Sequence, residues 1–232
     1  MKRLLLLIFV RIPVAFVIFS VALVFLYRFL PVVATPLMLK RSVEFREDDT
    51  FHTRKRWVPI EKISSNLVKS VIASEDNRFE THNGFDFEEI RKMTKDHREK
   101  GKRIRGCSTI SQQTAKNCFT FCSDTWSRKA VEAYWTVLIE LIWGKERIME
   151  VYLNVIEMGK GIYGAEAAAR TYFDTSAAKL TASQSALLAA CLPNPLKMSP
   201  AKPSAYVNRR RSAIMAATGR LLYPDWVTRD VQ

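Results

Sequence analysis

Residues 2–30 read KRLLLLIFVRIPVAFVIFSVALVFLYRFL. From Leu4 to Tyr27 the only charge is Arg11, and an apolar run of that length crosses a bilayer as a helix. A secretory signal has a shorter apolar core and a small-residue cleavage site, for which Ala34-Thr35-Pro36 is a poor match. The expectation is an uncleaved anchor. Lys2, Arg3 and Arg11 lie at its amino end, and Arg11 can snorkel toward that face. The positive-inside rule then keeps the amino tail in the cytoplasm and exports the rest.

An exported domain changes the meaning of the charge. The 232-residue chain has a formal net charge of +13 and a pI near 9.8, so it favours an anionic partner. With the basic domain facing away from the cytoplasm, nucleic acid is disfavoured, and a lipid surface or lipid-linked substrate takes its place. Cysteines stand at 107, 118, 122 and 191 and histidines at 52, 82 and 97, with no zinc-type spacing among them. Cys118 and Cys122 are candidates for a disulfide in an oxidising compartment, which their separation alone does not establish.

Beyond the anchor, residues 31–58 read as a linker, with Pro31, Pro36 and a charged run at Arg46–Asp49. From residue 59 to 232 the pattern is that of one mainly helical domain. Pro59 opens a segment with Ile63, Leu67, Val71 and Ile72 at helical spacing, ending near Glu75. Asp86 followed by Glu89 marks a helix start. The basic stretch KDHREKGKRIRGCS, 95–108, reads as a mobile loop. Thr109 with Gln112 predicts a capping box for a helix over about 110–118. Val131, Tyr134, Trp135, Leu138 and Ile142 predict a buried stripe, and Ile148, Val151, Tyr152 and Val155 predict another after Gly144. A Gly-rich turn then leads into an Ala-rich helix. Thr181 with Gln184 caps a last predicted helix, which stops before Pro193 and Pro195.

Three stretches carry groups that a core does not need. In ASEDNRFETHNGFD, 73–86, Glu75 is a candidate general base, or else half of a solvated acidic pair with Asp76. His82 and Asp86 suit a turn and a helix cap, and Gly84 suits a backbone angle that other residues resist. In GCSTISQQTAKN, 106–117, hydroxyls and amides gather at a helix start, where anions are favoured. In RKAVEAYW, 128–135, Arg128 and Glu132 share a helix face, as a surface ion pair or as a phosphate-binding cation beside a second carboxylate.

Taken in order, these stretches with KERIMEVYLNVIEMGKGIYGAEAAARTYF and LTASQSALLAACLPNPLKMSP closely resemble the monofunctional biosynthetic peptidoglycan glycosyltransferases. They are also similar to the glycosyltransferase module of bifunctional penicillin-binding proteins. The resemblance covers about residues 59–200. It implies a lysozyme-like helical domain with a small mobile jaw near the membrane, including the basic loop at 95–108. It implies polymerisation of lipid II, with inversion at the anomeric carbon and release of undecaprenyl diphosphate at the inner membrane. Glu75 then matches the base that takes the proton of the acceptor 4-hydroxyl, and Glu132 the second acid of the cleft. Lys116 and Arg128 match positions that engage the pyrophosphate, with Ser108, Thr109 and Gln113 lining the site. Asp76, Phe79 and His82 fall on supporting positions. Mg or Mn at the pyrophosphate is compatible with this chemistry, although the sequence offers no independent ligand set. Expected partners are lipid II, the growing glycan, membrane lipid and other cell-wall synthesis or division proteins.

Rival readings are a glycan-cleaving hydrolase, which shares a fold and one glutamate, and a non-catalytic membrane scaffold. Cys107 occupies a position where the family commonly has a small residue. Ser176-Ala-Ala-Lys179 matches the Ser-x-x-Lys of transpeptidases, but no Lys-Thr-Gly follows it.

Overall fold

The computed structural model describes residues 7–101, 106, 108–121 and 126–228. A π-helical turn at Leu7–Arg11 runs into helix α1, Ile12–Tyr27. Phe9–Tyr27 is long and apolar enough to cross a membrane, and its side chains are mostly exposed, as a lipid-facing helix requires. The carboxyl end of α1 is bound to the rest of the chain. Trp143 Nε1 donates to Val24 O at 2.7 Å, and Arg147 Nη2 donates to Tyr27 O at 2.7 Å and Leu30 O at 2.6 Å.

The segment 31–58, read as a linker, is instead folded onto the domain. Helix α2, Pro36–Glu44, begins where Thr35 accepts a hydrogen bond from Met38 N and Pro36 supplies a helical φ. Its Leu37 and Met38 are buried. Strand β1, Arg54–Lys55, pairs in parallel with β3, Ile162–Tyr163, and β2, Glu157–Gly159, pairs antiparallel on the other side of β3. The main chain of Val58 is clamped by fully buried Asn154, which accepts from Val58 N at 2.9 Å and donates to Val58 O at 2.8 Å. Peptide groups satisfied this way belong to a folded segment.

Three of the helices that build the domain start at the predicted capping residues, Asp86, Thr109 and Thr181. Helix α3, Ser65–Glu75, follows a 3₁₀ turn at Ile60–Lys62 and buries Leu67, Val68, Val71 and Ile72. Helix α4, Phe87–Lys100, is capped by Asp86, which accepts from Glu89 N at 2.9 Å. The basic run is therefore not a loop throughout: residues 95–100 continue α4, and Gly101 ends it at φ +61°. Residues 102–105 and 107 lie outside the described residues. Helix α4 buries no residue, which is why its charge density resembled that of a loop.

Helix α5, Ile110–Phe119, carries the complete capping box of Thr109 and Gln112. On α6, Trp126–Ile142, the buried positions are Glu132, Trp135, Thr136 and Ile139, whereas Val131 is exposed. The expected stripe is thus rotated, with two polar residues at its centre. Helix α7, Lys145–Val155, buries Ile148, Val151, Tyr152 and Val155 completely. Helix α8, Ala165–Phe173, leads through a 3₁₀ turn at Ala177–Lys179 to α9, Ala182–Cys191. The second predicted capping box, Thr181 with Gln184, opens α9. Helix α9 packs against α3 and α10, Ala205–Thr218, and α11, Asp225–Thr228, closes the described chain. Lys179 of the Ser-x-x-Lys match is exposed on its turn. Cys118 is a free buried thiol that burial pushes up to about 12, and Cys122 lies outside the described residues.

Gly164 sets the turn between β3 and α8. Its φ is +81°, and a Cβ there would sit 2.7 Å from Asn154 O and 3.0 Å from Asn154 C. Backbone atoms cannot move aside as a side-chain tip can. Gly164→Ala is expected to cost about 3 kcal/mol, from strain and overlap together. A melt followed by circular dichroism checks this, and an unchanged Tm would show that the turn absorbs a methyl group.

Candidate active site

Glu75 is the last residue of α3, so its carboxylate leaves the helix end beside the start of α5. It is half-buried, accepting from Ser74 Oγ at 3.1 Å and from Gln113 Nε2 at 3.2 Å. Burial raises its pKa above the ordinary glutamate value of 4.5, against the lowering pull of the two hydrogen bonds and of Arg210. Gln113 is held in this orientation from behind. The hydroxyl of fully buried Tyr152 donates to Gln113 Oε1 at 3.2 Å, which turns the amide N–H toward Glu75. Burial raises the Tyr152 pKa well above its ordinary value, so the phenol remains a donor.

Asp76, by contrast, turns inward. Its carboxylate meets His82 Nε2 at 3.0 Å and accepts from Ile110 N, the first helical amide of α5, at 3.0 Å. Phe79 is fully buried, with Lys145 Nζ 4.7 Å from its ring centre. The same ammonium bonds His82 O at 2.6 Å and Glu140 at 2.7 Å. Gly84 has φ +86°, and a Cβ would lie 2.8 Å from Thr136 Cγ2. Thr109 caps α5 and donates to Gly84 O at 2.7 Å. Asp76, Phe79, His82, Gly84 and Asp86 therefore brace the loop that fixes Glu75 against α5.

Glu75 opens into two adjoining hollows. One, of about 220 Å³, lies toward α4 and is bordered by Ser108, Thr109 and Asp86. The other, of about 720 Å³, brings Glu75, Ser108, Gln113 and Lys116 together. Its remaining wall was not foreseen: Lys40 and Arg41 come from α2, Arg210 from α10, and Leu37, Ile156, Leu192 and Pro193 are apolar. The Ser-Thr-x-x-Gln-Gln capping pattern pointed to the α5 side, but nothing local in the sequence marks Arg210 or α2. Arg210 Nη2 donates to Ser74 Oγ at 3.2 Å, one residue from the base.

Arg128 and Glu132 line neither hollow. Glu132 is 1% exposed and is bound by Arg128 Nη1 at 2.9 Å and Lys129 Nζ at 2.8 Å. Only the acid is buried: Lys129 is half exposed and Arg128 partly so, and leaving that acid unpaired costs more than a surface pair contributes.

Of the two carboxylates bordering the larger hollow, Glu75 is engaged by Ser74 and Gln113, and Glu157 is gripped by Arg41. Among the described residues, no three metal-ligating side chains gather. A half-buried carboxylate beside cations in a cleft with one apolar wall suits an amphiphile bearing a phosphate.

A family model described as Transglycosylase matches residues 39–218, most of the chain. The chain belongs to the transglycosylase family. It is 57% identical over 197 residues to a biosynthetic peptidoglycan transglycosylase of Bacteroides thetaiotaomicron, covering 84% of this chain and 79% of the relative. To proteins of the same name from Caulobacter vibrioides and Bdellovibrio bacteriovorus it is 55% and 49% identical, covering 86% and 89% of this chain and 84% and 82% of theirs. The helical transglycosylase domain is lysozyme-like, as the resemblance implied. The family match begins at residue 39, inside α2, in keeping with the packing of that helix on the domain.

Proposed function

We infer that the protein is a membrane-anchored peptidoglycan glycosyltransferase that joins lipid II units into glycan strands. The observation that carries this reading is Glu75, a carboxylate of raised pKa held by Ser74 and Gln113 in a cleft that also presents Lys116 and Arg210. A glycosyl pyrophosphate already has a good leaving group once cations meet its charge. What remains is to remove a proton from the attacking hydroxyl. Ionised Glu75 takes that proton as the acceptor 4-hydroxyl attacks the anomeric carbon of the growing chain. The bond to the pyrophosphate breaks on the opposite face, so the α linkage becomes β and undecaprenyl diphosphate leaves.

In this reading Lys116 meets the pyrophosphate, Ser108 and Thr109 border it, and Gln113 fixes the base. Arg128 is a second cation for the phosphates, oriented by Glu132, which requires the start of α6 to face bound substrate. The anchor keeps the cleft beside a substrate that cannot leave the bilayer, with the amino tail cytoplasmic and the domain outside the inner membrane. A divalent ion at the pyrophosphate would add to the charge that Lys116 supplies there.

The test is lipid II consumption by full-length protein in detergent, with products resolved by size. Wild type is expected to form polymer. Lys116→Met is expected to lower kcat/KM about a hundredfold, because a leaving-group charge goes unmet. Lipid II left untouched by wild type would refute the reading.

A further inference from the structure

The contact between α2 and the sheet goes beyond what the reaction scheme uses. Arg41 lies on α2, on the inner face that it shares with Leu37 and Lys40, all three bordering the larger hollow. Its guanidinium forks onto Glu157, with Nε 3.0 Å from Oε1 and Nη2 3.0 Å from Oε2, while Nη1 meets Glu44 at 2.6 Å. Glu157 is 4% exposed and stands in β2 opposite Tyr163 of β3, so the acid is fixed by the sheet. Paired N–H···O bonds of this kind set direction as well as distance. On the other face of α2, Leu39 and Val43 are exposed, 57% and 66%. The helix thus begins only a few residues beyond the anchor and stands with one face on the cleft and an apolar face outward.

We propose that Arg41 is a positioning residue of the glycosyl transfer: its ion pair with Glu157 holds α2 as the membrane-side wall of the cleft, so that Lys40 and Leu37 face the lipid-linked pyrophosphate. The proposal rests on the lipid II reading above. Without the pair, α2 keeps its cap and its buried Met38 but loses the ion pair that ties its carboxyl half to the sheet. Because Glu75, Gln113 and Lys116 are held by other elements, the bond-making step is retained and substrate binding is what suffers.

The test is steady-state kinetics on lipid II with full-length wild type, Arg41→Gln, Glu157→Gln and the double variant, alongside melts of each. Each single variant is expected to raise KM about tenfold with kcat within about threefold of wild type. The double variant is expected to be no worse than the poorer single one, as two residues acting through one contact require. If Glu157→Gln does not fold, Glu157→Met replaces the buried acid with an apolar chain of similar length. A KM raised by Arg41→Gln but not by the Glu157 variant would overturn the proposal, because Arg41 would then touch substrate itself. An unchanged KM in both single variants, with only Tm lowered, would overturn it by reducing the pair to scaffold. Wild type inactive on lipid II would overturn the functional reading and this proposal with it.

Discussion

Glu75→Gln is expected to remove lipid II polymerisation, by about a thousandfold or more, from a protein that remains folded. The amide keeps the size of the side chain and can still accept from Gln113, but it takes no proton. The same substitution has an opposite effect on stability. Burial places the folded pKa of Glu75 above 4.5, so the folded chain holds that proton more tightly than the unfolded chain does. The stabilising linkage is complete below the unfolded pKa and is lost as pH rises through the folded value. The amide variant has no such titration, so its Tm should gain on wild type as pH rises from about 4 to 8. Wild-type activity should fall on acidification at a pH above that of an ordinary carboxylate. Melts and rates over that range check both, and a Tm difference that does not vary with pH would show that Glu75 is not desolvated.

Asp76→Ala is expected to have the largest effect on the fold. The substitution leaves two buried groups unpaired, Ile110 N and the ring of His82, for a loss of about 3 kcal/mol or more. Because the carboxylate ties the Glu75 loop to the first turn of α5, activity should be lost even at temperatures where the variant is folded. Asp76→Asn retains an acceptor and should be milder in a chemical or thermal melt. If Asp76→Ala melts with wild type, the brace lies elsewhere and the supporting assignments of His82 and Asp76 must be withdrawn.

Helix starts were legible because they are local. The two capping boxes and the Asp86 cap depend on residues three positions apart, and all three form as expected. The long apolar helix and the meeting of Glu75, Gln113 and Lys116 in one hollow were legible for similar reasons, through an apolar run and ordered motifs. The other wall was not. Arg41 and Glu157 are 116 residues apart, and no periodicity predicts that a supposed linker will meet a hairpin acid. The rotated face of α6 has a related cause. Apolar periodicity passes over a glutamate, yet two cations on the same helix allow Glu132 to be buried. On α4 the error ran the other way, since a helix that buries nothing has no apolar stripe to read.

The most direct measurement separates building from cutting. Full-length wild type would be incubated with lipid II and, separately, with preformed glycan strands, and both products resolved by size. A polymer ladder from lipid II, with the strands unaltered, is the predicted result. Shortened strands with lipid II unconsumed would contradict it and make Glu75 the acid of a hydrolase.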